Sequence, residues 1–418
     1  MWWMSDLPIP KSKIIFHIDG DAFFVGVEIA KNPSLKGLPV VTGEERGIVS
    51  ALSYEAKALG VVRGMPIFKI KRDFPCVVIL PGDYRAYAEY SSQMFDIVRR
   101  YAYGVEEYSI DECFADFTGL DRTLKLTYWE IAQKIKSEIN EELGLSVSIG
   151  LAPTKVLAKV ASNWVKPNGL TIIDCDTAPD FLAKKSVEKI WGIGPKTSEL
   201  LTKKGVHTAL DFSSKDISWI RQNLSKPYET IWQELNGILV MEVDTEAKTA
   251  YSSIQKTKTF TPSTNDKTFL WSQFSKHIED ACRKARYYGL VPKKISIFLK
   301  TQNFKIITIT VTLPVPSNSP EILLSLVHLH FEKIYARGTL YRTTGTILQD
   351  LTLNFISQKD LFGGTIKSDK FGLIHKQIDC LEDKFGKRVI YLGSTHKAIT
   401  QKARGTDSDD LDRDLLFL

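Results

Sequence analysis

The sequence predicts an α+β protein of several domains whose first part contains a ferredoxin-like sheet. The length of 418 residues exceeds what one hydrophobic core of usual size requires. Up to about residue 174, the segments follow the order strand, helix, strand, strand, helix, strand. Hydrophobic residues make up 43% of the chain and charged residues 25%, as in ordinary globular proteins.

The elements of the first part follow from the spacing of apolar residues. Residues 13–18 predict a buried strand that runs into Asp19-Gly20-Asp21. Residues 128–143 predict a helix, because apolar side chains recur at every fourth position. The other predicted elements are strands at 107–111, 112–117 and 146–151, a strand tip leading into a helix at 48–60, and helices at 84–101 and 154–165.

The second part has a different pattern. Residues 176–242 predict short helices and include Gly192-Ile193-Gly194, whereas residues 243–250 lack apolar periodicity and predict a linker. A new α/β unit follows, with a helix over residues 270–285. In the strand 305–313, isoleucine and valine alternate with threonine, so one face is expected to be buried and the other wet. After residue 355 the pattern weakens and predicts a partly flexible tail.

The formal charge of +6 allows a nucleic-acid partner without requiring one. Residues 251–310, however, carry eleven lysines and arginines against three acids, an excess larger than that of the whole chain. The last residues are acidic, with five aspartates between residues 407 and 414. The basic segment therefore favours a phosphate-binding surface.

Cysteine usage and hydropathy exclude secreted disulfide scaffolds and membrane proteins. The five cysteines are odd in number and widely spaced, which predicts reduced, mostly buried thiols in a cytosolic protein. No apolar run approaches the roughly 18 residues that span a bilayer. The first residues also lack the basic start and long apolar stretch of a signal peptide.

Three carboxylates fall at the ends of predicted strands. Asp19 follows the first strand, and Asp111 with Glu112 occupies the bend between two later ones. Crowded carboxylates are costly unless cations neutralise them, and Mg²⁺ prefers oxygen ligands. If these strands share a sheet, the sequence predicts a site for two magnesium ions. The alternative is that Asp19 with Asp21, and Asp111 with Glu112, only cap turns.

Two pairs of side chains could bind the triphosphate of a nucleotide beside such a site. Lys155 and Lys159 are four residues apart and share one helical face, and Tyr54 shares a face with Lys57. Two metal ions with tyrosine and lysine contacts suit a nucleoside triphosphate. A solvated helix face has the same spacing and remains the alternative.

Five segments, in order between residues 14 and 173, resemble motifs of the Y-family translesion DNA polymerases, in particular the bacterial DinB/UmuC-like branch of DNA polymerase IV and V type. The segments are Asp19-Gly20-Asp21-Ala22-Phe23-Phe24, Tyr54-Glu55-Ala56-Lys57 with Gly64-Met65-Pro66, Tyr108-Ser109-Ile110-Asp111-Glu112-Cys113-Phe114, Gly150 to Lys159, and Lys166-Pro167-Asn168-Gly169. The Gly-Ile-Gly segment and the second α/β unit extend the resemblance to about residue 355.

The resemblance implies a right-hand polymerase with a ferredoxin-like palm, small fingers, a helix-hairpin-helix thumb and an α/β little finger. The implied bounds are 12–22 with 83–174 for the palm, 23–82 for the fingers, 175–242 for the thumb, 243–250 for a linker, 251–355 for the little finger and 356–418 for a tail.

The implied function is template-directed, low-fidelity DNA synthesis past damage, as in the SOS response, without proofreading. Asp19 and Asp111 are implied to hold two Mg²⁺ ions, with Mn²⁺ as a substitute, Glu112 to hold the catalytic ion, and the Gly20 carbonyl to complete one shell. The other implied roles belong to Phe23 and Phe24 at the sugar, with Phe24 as the steric gate against ribose, and to Tyr54, Lys57 and Lys159 at the triphosphate.

The implied partners are dNTPs, primer–template DNA and a sliding clamp, for a cytoplasmic protein that is a monomer or works with accessory subunits. The implied DNA contacts are Gly192, Gly194, Lys196, Lys256 and Lys258, and the implied clamp-binding residues are Gln358, Leu361 and Phe362. Lys57 stands where many members have arginine, and it supplies a point charge rather than a fork.

Three other functions remain to be weighed. A catalytically weak adaptor between a clamp and another polymerase, or a non-enzymatic DNA-binding protein, would not need all three acids. A nucleotide cyclase would need neither the thumb nor the basic unit.

Overall fold

The computed structural model describes residues 13–246, 251–353, 364–385 and 388–401. These residues form two compact units, one before and one after residue 246.

The first unit contains eight strands and twelve helices among its described residues. The strands are β1 (Ile15–Gly20), β2 (Val40–Thr42), β3 (Ala51–Leu52), β4 (Val78–Leu80), β5 (Val105–Glu107), β6 (Glu112–Asp116), β7 (Val147–Ala152) and β8 (Leu170–Ile172). The helices are α1 (Phe23–Lys31), α2 (Tyr54–Ala58), α3 (Ile67–Asp73), α4 (Tyr84–Arg99), α5 (Leu120–Leu124), α6 (Tyr128–Leu143), α7 (Lys155–Ser162), α8 (Ala178–Ala183), α9 (Pro195–Lys203), α10 (Ala209–Ser213), α11 (Ile217–Asn223) and α12 (Lys226–Leu235).

The central sheet has the order β5-β6-β1-β7-β8. Strand β1 runs antiparallel to both β6 and β7, and β8 pairs in parallel with β7. The four neighbouring strands β5, β6, β1 and β7, together with the crossing helices α4 and α6, form the predicted ferredoxin-like arrangement. One face packs on α4 and α6 through Phe16 and Ile18, and the opposite face packs on α7 through Ile15 and Phe114.

The predicted strand over 107–111 is wrong in its position. The strand β5 ends at Glu107, and the next residues bend, because the backbone N–H groups of Tyr108 and Ser109 both donate to the Glu112 carbonyl. Asp111 therefore lies in the bend between β5 and β6, immediately before β6 begins. The strand tip and helix predicted over 48–60 are confirmed as β3 and α2: Ser53 caps α2, and Gly60, at φ +93°, follows its end.

The second unit is a four-stranded sheet of order β11-β10-β12-β9 covered by helices. Its elements are β9 (Ser253–Thr264), α13 (Lys267–Tyr287), β10 (Leu290–Thr301), β11 (Ile306–Thr312), α14 (Pro320–Ile334), β12 (Tyr341–Leu353), α15 (Gly364–Phe385) and α16 (His396–Thr400). In β11 the predicted alternation is confirmed, since Thr308, Thr310 and Thr312 are exposed while the intervening apolar residues pack toward the core.

Lys256 and Lys258 do not lie on the open face of this sheet, where DNA contact was expected. They pair with Thr346 and Thr344 of β12, and the Thr344 hydroxyl lies 3.0 Å from His277 Nε2 in α13. Directly opposite residues of an antiparallel pair share a face. The two lysines are therefore on the helix-covered side, so the open face has to make its contacts through other residues.

The described residues after 363 include the helices α15 and α16, although their sequence pattern is weak. Helix α15 is joined to α13 by a two-bond ion pair, in which Arg286 Nε and Nη2 lie 2.7 and 2.8 Å from the carboxylate oxygens of Asp379. Glu279 of α13 also accepts a 2.8 Å hydrogen bond from the Leu392 backbone N–H. Charge pairs between distant residues leave no apolar periodicity, which is why the sequence pattern missed this packing.

The five cysteines are free thiols, as expected, but they are not mostly buried. Cys113 and Cys282 are buried, whereas Cys76, Cys175 and Cys380 are exposed. Among the described residues, no helix has the length and apolar character needed to cross a membrane.

Candidate active site

Asp19 and Glu112 lie next to each other on the adjacent strands β1 and β6 of the central sheet. Their Cα atoms are direct partners in the register of β1 and β6, so both side chains project from one face. Oxygen atoms of these two carboxylates and one ring nitrogen of His17 all lie within 4.8 Å of one another. The strand pairing thus creates the crowded acidic group that the sequence predicted.

Asp111 lies beside this pair in the bend before β6. Its backbone carbonyl accepts a 2.7 Å hydrogen bond from Gly20 N–H, which ties the bend to the end of β1. Its carboxylate accepts a 2.6 Å hydrogen bond from Ser109 Oγ. Burial raises the pKa of Asp19 to about 6 against the opposing effect of Lys166, and the charges of Glu112 and Asp111 add to the rise. The charge of Asp111 therefore acts on Asp19, but the ligand atoms that lie within 4.8 Å of one another belong to His17, Asp19 and Glu112.

Two lysines form ion pairs with Asp19 and Glu112. Lys166 Nζ lies 2.5 Å from Asp19 Oδ1, and Lys159 Nζ lies 2.7 Å from Glu112 Oε2. Lys159 was expected at the site, whereas Lys166 was named only within the Lys166-Pro167-Asn168-Gly169 motif and was given no role. This segment precedes the edge strand β8. Its lysine is the one cationic side chain among the four residues and was the sequence feature that could have indicated a contact with an acid.

His17 was also missed by the sequence analysis. It is fully buried, with Nε2 3.0 Å from Glu112 Oε2 and Nδ1 2.7 Å from Ser162 Oγ. Burial lowers the pKa of His17 to about 4, so the ring is neutral near pH 7. Burial alone would raise the pKa of Glu112, but hydrogen bonds from His17 and Lys159 lower it to about 2. The period of two along β1, which puts residues 17 and 19 on one face, could have revealed this contact.

Asp21 serves the turn rather than the acidic group. It is buried and accepts hydrogen bonds of 2.8 Å from Ser146 Oγ, Ser148 Oγ and the Asn168 backbone N–H. The alternative of a capping carboxylate is therefore the better description of Asp21.

We expect Asp21→Ala to lower the free energy of unfolding of the first unit by about 3 kcal/mol, because several buried donors lose their acceptor. Urea denaturation measures this change. Asp73→Ala is the matched control, since Asp73 is an exposed carboxylate paired only with its neighbour Arg72. Equal effects of the two substitutions would contradict the assignment.

The two adjacent phenylalanines have different surroundings. Phe23 is only 3% exposed and belongs to the core, so too little of its surface remains for the expected contact with a sugar. Phe24 is half-buried, stacks on Tyr87 with ring centroids 4.3 Å apart and meets the edge of Tyr84 at 6.2 Å. Phe24 therefore presents a firmly held ring, whereas Phe23 is a packing residue.

The first turn of α2 lies near the end of β1. Tyr54 OH is 3.4 Å from Asp21 Oδ1, a long contact, and burial followed by the charge of Asp21 raises the pKa of Tyr54. Lys57, one turn further along α2, is exposed. Lys155, by contrast, is buried and paired with Glu106, which removes it from the group facing Glu112.

The Gly-Ile-Gly segment borders the site through its preceding tryptophan. Trp191 Nε1 donates a 2.9 Å hydrogen bond to Tyr108 OH, and the Lys159 ammonium lies 4.5 and 5.2 Å from the ring centroids of Tyr108 and Trp191. Gly192 has a φ of +87°, and an added Cβ would meet Ile231 at 2.6 Å. Gly194 precedes α9, and Lys196 is exposed on its first turn. The clamp-binding prediction at Gln358, Leu361 and Phe362 lies outside the described residues.

Comparisons with known proteins agree along most of the chain. The model of the impB/mucB/samB family matches residues 18–163, that of its C-terminal domain matches residues 251–361, and that of the IMS family HHH motif matches residues 176–206. DNA polymerase IV 1 of Bacillus subtilis is 34% identical over 95% of this chain and 96% of the relative. DNA polymerase IV of Methanoculleus marisnigri is 34% identical over 75% of this chain and 87% of the relative.

Solved structures show the same similarity. A Y-family DNA polymerase chimera of Dbh and Dpo4 aligns with a TM-score of 0.68 at 25% identity, covering 82% of this chain and all of that chain. An insertion ternary complex of Dbh DNA polymerase aligns with a TM-score of 0.54 at 26% identity over 82% of this chain and all of that chain.

Proposed function

The chain belongs to the impB/mucB/samB family, within the DinB-like Y-family DNA polymerases, and from this we propose that Asp19, Asp111 and Glu112 form its catalytic centre. The protein is a template-directed DNA polymerase of translesion synthesis. The observation that carries our assignment is the pairing of Asp19 with Glu112 on adjacent strands, with Asp111 in the bend beside them. The comparisons give no support to the adaptor alternative.

The donor set fits hard divalent cations, because the convergent groups are carboxylate oxygens with the Gly20 carbonyl at the end of β1. We assign Asp19 and Asp111 to two Mg²⁺ ions, Glu112 to one of them, and Mn²⁺ to the same ligands. Ions held there would supply charge neutralisation at the phosphates and would favour deprotonation of the primer 3′-hydroxyl. The neutral His17 ring is hydrogen-bonded to Glu112 and is not needed as a ligand.

The cationic side chains of the site have a second task. Lys159 and Lys166 balance the charges of Glu112 and Asp19, and each ammonium group can turn to a phosphate oxygen when its carboxylate serves a cation. Tyr54 and Lys57 on α2 supply the triphosphate contacts from the other side of β1. The α-phosphate is oriented by these four side chains, Lys159, Lys166, Tyr54 and Lys57, for attack by the primer 3′-hydroxyl. Pyrophosphate is the leaving group of this attack.

DNA is held by backbone contacts that do not depend on sequence. Gly192, Gly194 and Lys196 place an amino end of a helix and a cation where a phosphate can approach. On the second unit, the exposed threonines of β11 and the partly exposed Lys294 and Lys300 of β10 line the open sheet face. Neutral hydroxyls with a few cations suit the phosphate backbone of a duplex.

We retain the domain bounds implied by the family: 12–22 with 83–174 for the palm, 23–82 for the fingers, 175–242 for the thumb and 251–355 for the little finger. We further propose that Gln358, Leu361 and Phe362 bind a sliding clamp, and that the protein acts as a monomer on DNA in the cytoplasm.

Primer extension on damaged and mismatched substrates tests this function. We expect the protein, with Mg²⁺ and single dNTPs, to extend past an abasic site and from a mismatched 3′ end without trimming it. If the active site selects only weakly for the shape of the new base pair, the protein copies with low fidelity. If the protein has no exonuclease activity, mismatched 3′ ends stay untrimmed. A product shortened by one nucleotide before extension would contradict the absence of proofreading, and no extension with DNA binding intact would contradict the assigned chemistry.

A further inference from the structure

A buried hydrogen-bonded chain joins Ser162, His17 and Glu112. Ser162 Oγ lies 2.7 Å from His17 Nδ1, and His17 Nε2 lies 3.0 Å from Glu112 Oε2. The histidine is fully buried and Ser162 is 1% exposed, so water has little access to the contact between them. The chain runs from helix α7, through the middle of β1, to the start of β6.

Gly150 makes this chain possible. It pairs with His17 in the β1–β7 register, and a Cβ on it would stand 2.1 Å from the Ala158 carbonyl and 2.2 Å from the Ser162 nitrogen. Only glycine therefore lets α7 approach the sheet closely enough for Ser162 to reach the histidine ring.

The hydrogen-bond chemistry fixes the tautomer of the histidine. An ionised carboxylate only accepts hydrogen bonds, so a neutral His17 must carry its proton on Nε2 and donate it to Glu112. Nδ1 then accepts from the Ser162 hydroxyl. The competing acceptor of that hydroxyl, the Lys159 carbonyl, is more distant at 3.2 Å.

We propose that His17, held in one tautomer between Glu112 and Ser162, is a positioning residue that orients Glu112 for its metal ion. Oε2 of Glu112 receives both the His17 N–H and the Lys159 ammonium group, which leaves Oε1 as the oxygen that faces a cation. When Lys159 turns to a phosphate, His17 continues to hold Oε2. The inference deepens the proposed function and rests on the assignment of Glu112 to the ion.

Partners of this kind, one step removed from the ion, affect metal affinity more than they affect the fold. Their loss commonly weakens metal binding by about 10-fold to 100-fold. We therefore expect His17→Leu, which fills similar volume but cannot donate, to raise the Mn²⁺ dissociation constant about 10-fold or more. His17→Gln keeps an amide donor and should lose less affinity. Ser162→Ala, which removes only the hydroxyl at His17 Nδ1, should also lose less affinity than His17→Leu.

Mn²⁺ titration followed by electron paramagnetic resonance measures this affinity on the full chain without any turnover. Asp19→Ala defines the signal that belongs to the site. Ser213→Ala is the matched control, because Ser213 is a buried serine of α10 whose hydroxyl donates to the Leu210 backbone carbonyl within the same helix. Nitrogen NMR of the His17 ring reports the tautomer directly, and we expect a single Nε2–H form in the wild type and also in Ser162→Ala, because the ionised Glu112 accepts only from Nε2–H.

Unchanged Mn²⁺ affinity in a folded His17→Leu protein would overturn the proposal. If His17→Leu does not fold, the wild-type ring decides: a neutral ring that carries its proton on Nδ1 could not donate to Glu112 and would overturn the proposal equally. Failure of the proposed function looks different. In that case the wild type would not extend primers, while the affinity difference between wild type and His17→Leu would persist.

Discussion

Glu112→Gln should reduce single-turnover primer extension by about 1,000-fold while leaving primer–template binding unchanged. The substitution keeps the length and shape of the side chain but removes the charge that an ion requires. It also presents an amide to Lys159 and His17, both of which donate to the carboxylate. The loss should therefore fall on chemistry and ion binding rather than on DNA affinity.

Rapid-quench extension with saturating dNTP, beside an anisotropy titration of DNA, measures the two quantities separately. Glu107→Gln is the control, because Glu107 ends β5 on the neighbouring strand and its side chain is 44% exposed in a surface pair with Arg99. Surface pairs of this kind contribute about 1 kcal/mol or less. Extension by Glu112→Gln at more than a tenth of the wild-type rate would remove Glu112 from the catalytic centre.

Phe24→Ala should raise the ratio of ribonucleotide to deoxynucleotide incorporation by about 100-fold. The ring of Phe24 is braced by Tyr87 in a stack and by Tyr84 at its edge, so it cannot easily swing away from a 2′-hydroxyl. Alanine removes that barrier without touching an acid. The effect should appear as faster ribonucleotide insertion, with deoxynucleotide insertion changed much less.

Single-nucleotide insertion kinetics with dCTP and CTP opposite one template guanine give the ratio. Phe24→Tyr should keep the wild-type discrimination, because its ring has the same width. If Phe24→Ala excludes ribonucleotides as well as the wild type does, the selecting group is another side chain.

The sequence was informative wherever a local pattern determines geometry. Asp19 and Glu112 could be placed together because apolar strands end at both, and antiparallel pairing in a ferredoxin-like sheet makes such ends adjacent. The helix at 128–143 was predicted with its observed bounds, because its capping threonine and terminal glycine reinforce the apolar period.

The contacts that the sequence did not reveal depend on distant pairings. Lys166 meets Asp19 across 147 residues, and Ser162 meets His17 across 145. Lys256 and Lys258 were assigned to the wet face because lysine is polar, but the strand register decides the face, and register depends on the partner strand. The turn-capping alternative named Asp21, but its partners Ser146 and Ser148 lie 125 and 127 residues away and could not be read from the sequence.

Anomalous diffraction from a crystal grown with primer–template DNA, a dideoxy-terminated primer, dNTP and Mn²⁺ tests the catalytic centre most directly. Our account predicts two manganese peaks, with carboxylate oxygens of Asp19 and Asp111 at both and an oxygen of Glu112 at one. Peaks bound by other side chains, or one peak that Glu112 does not touch, would contradict it.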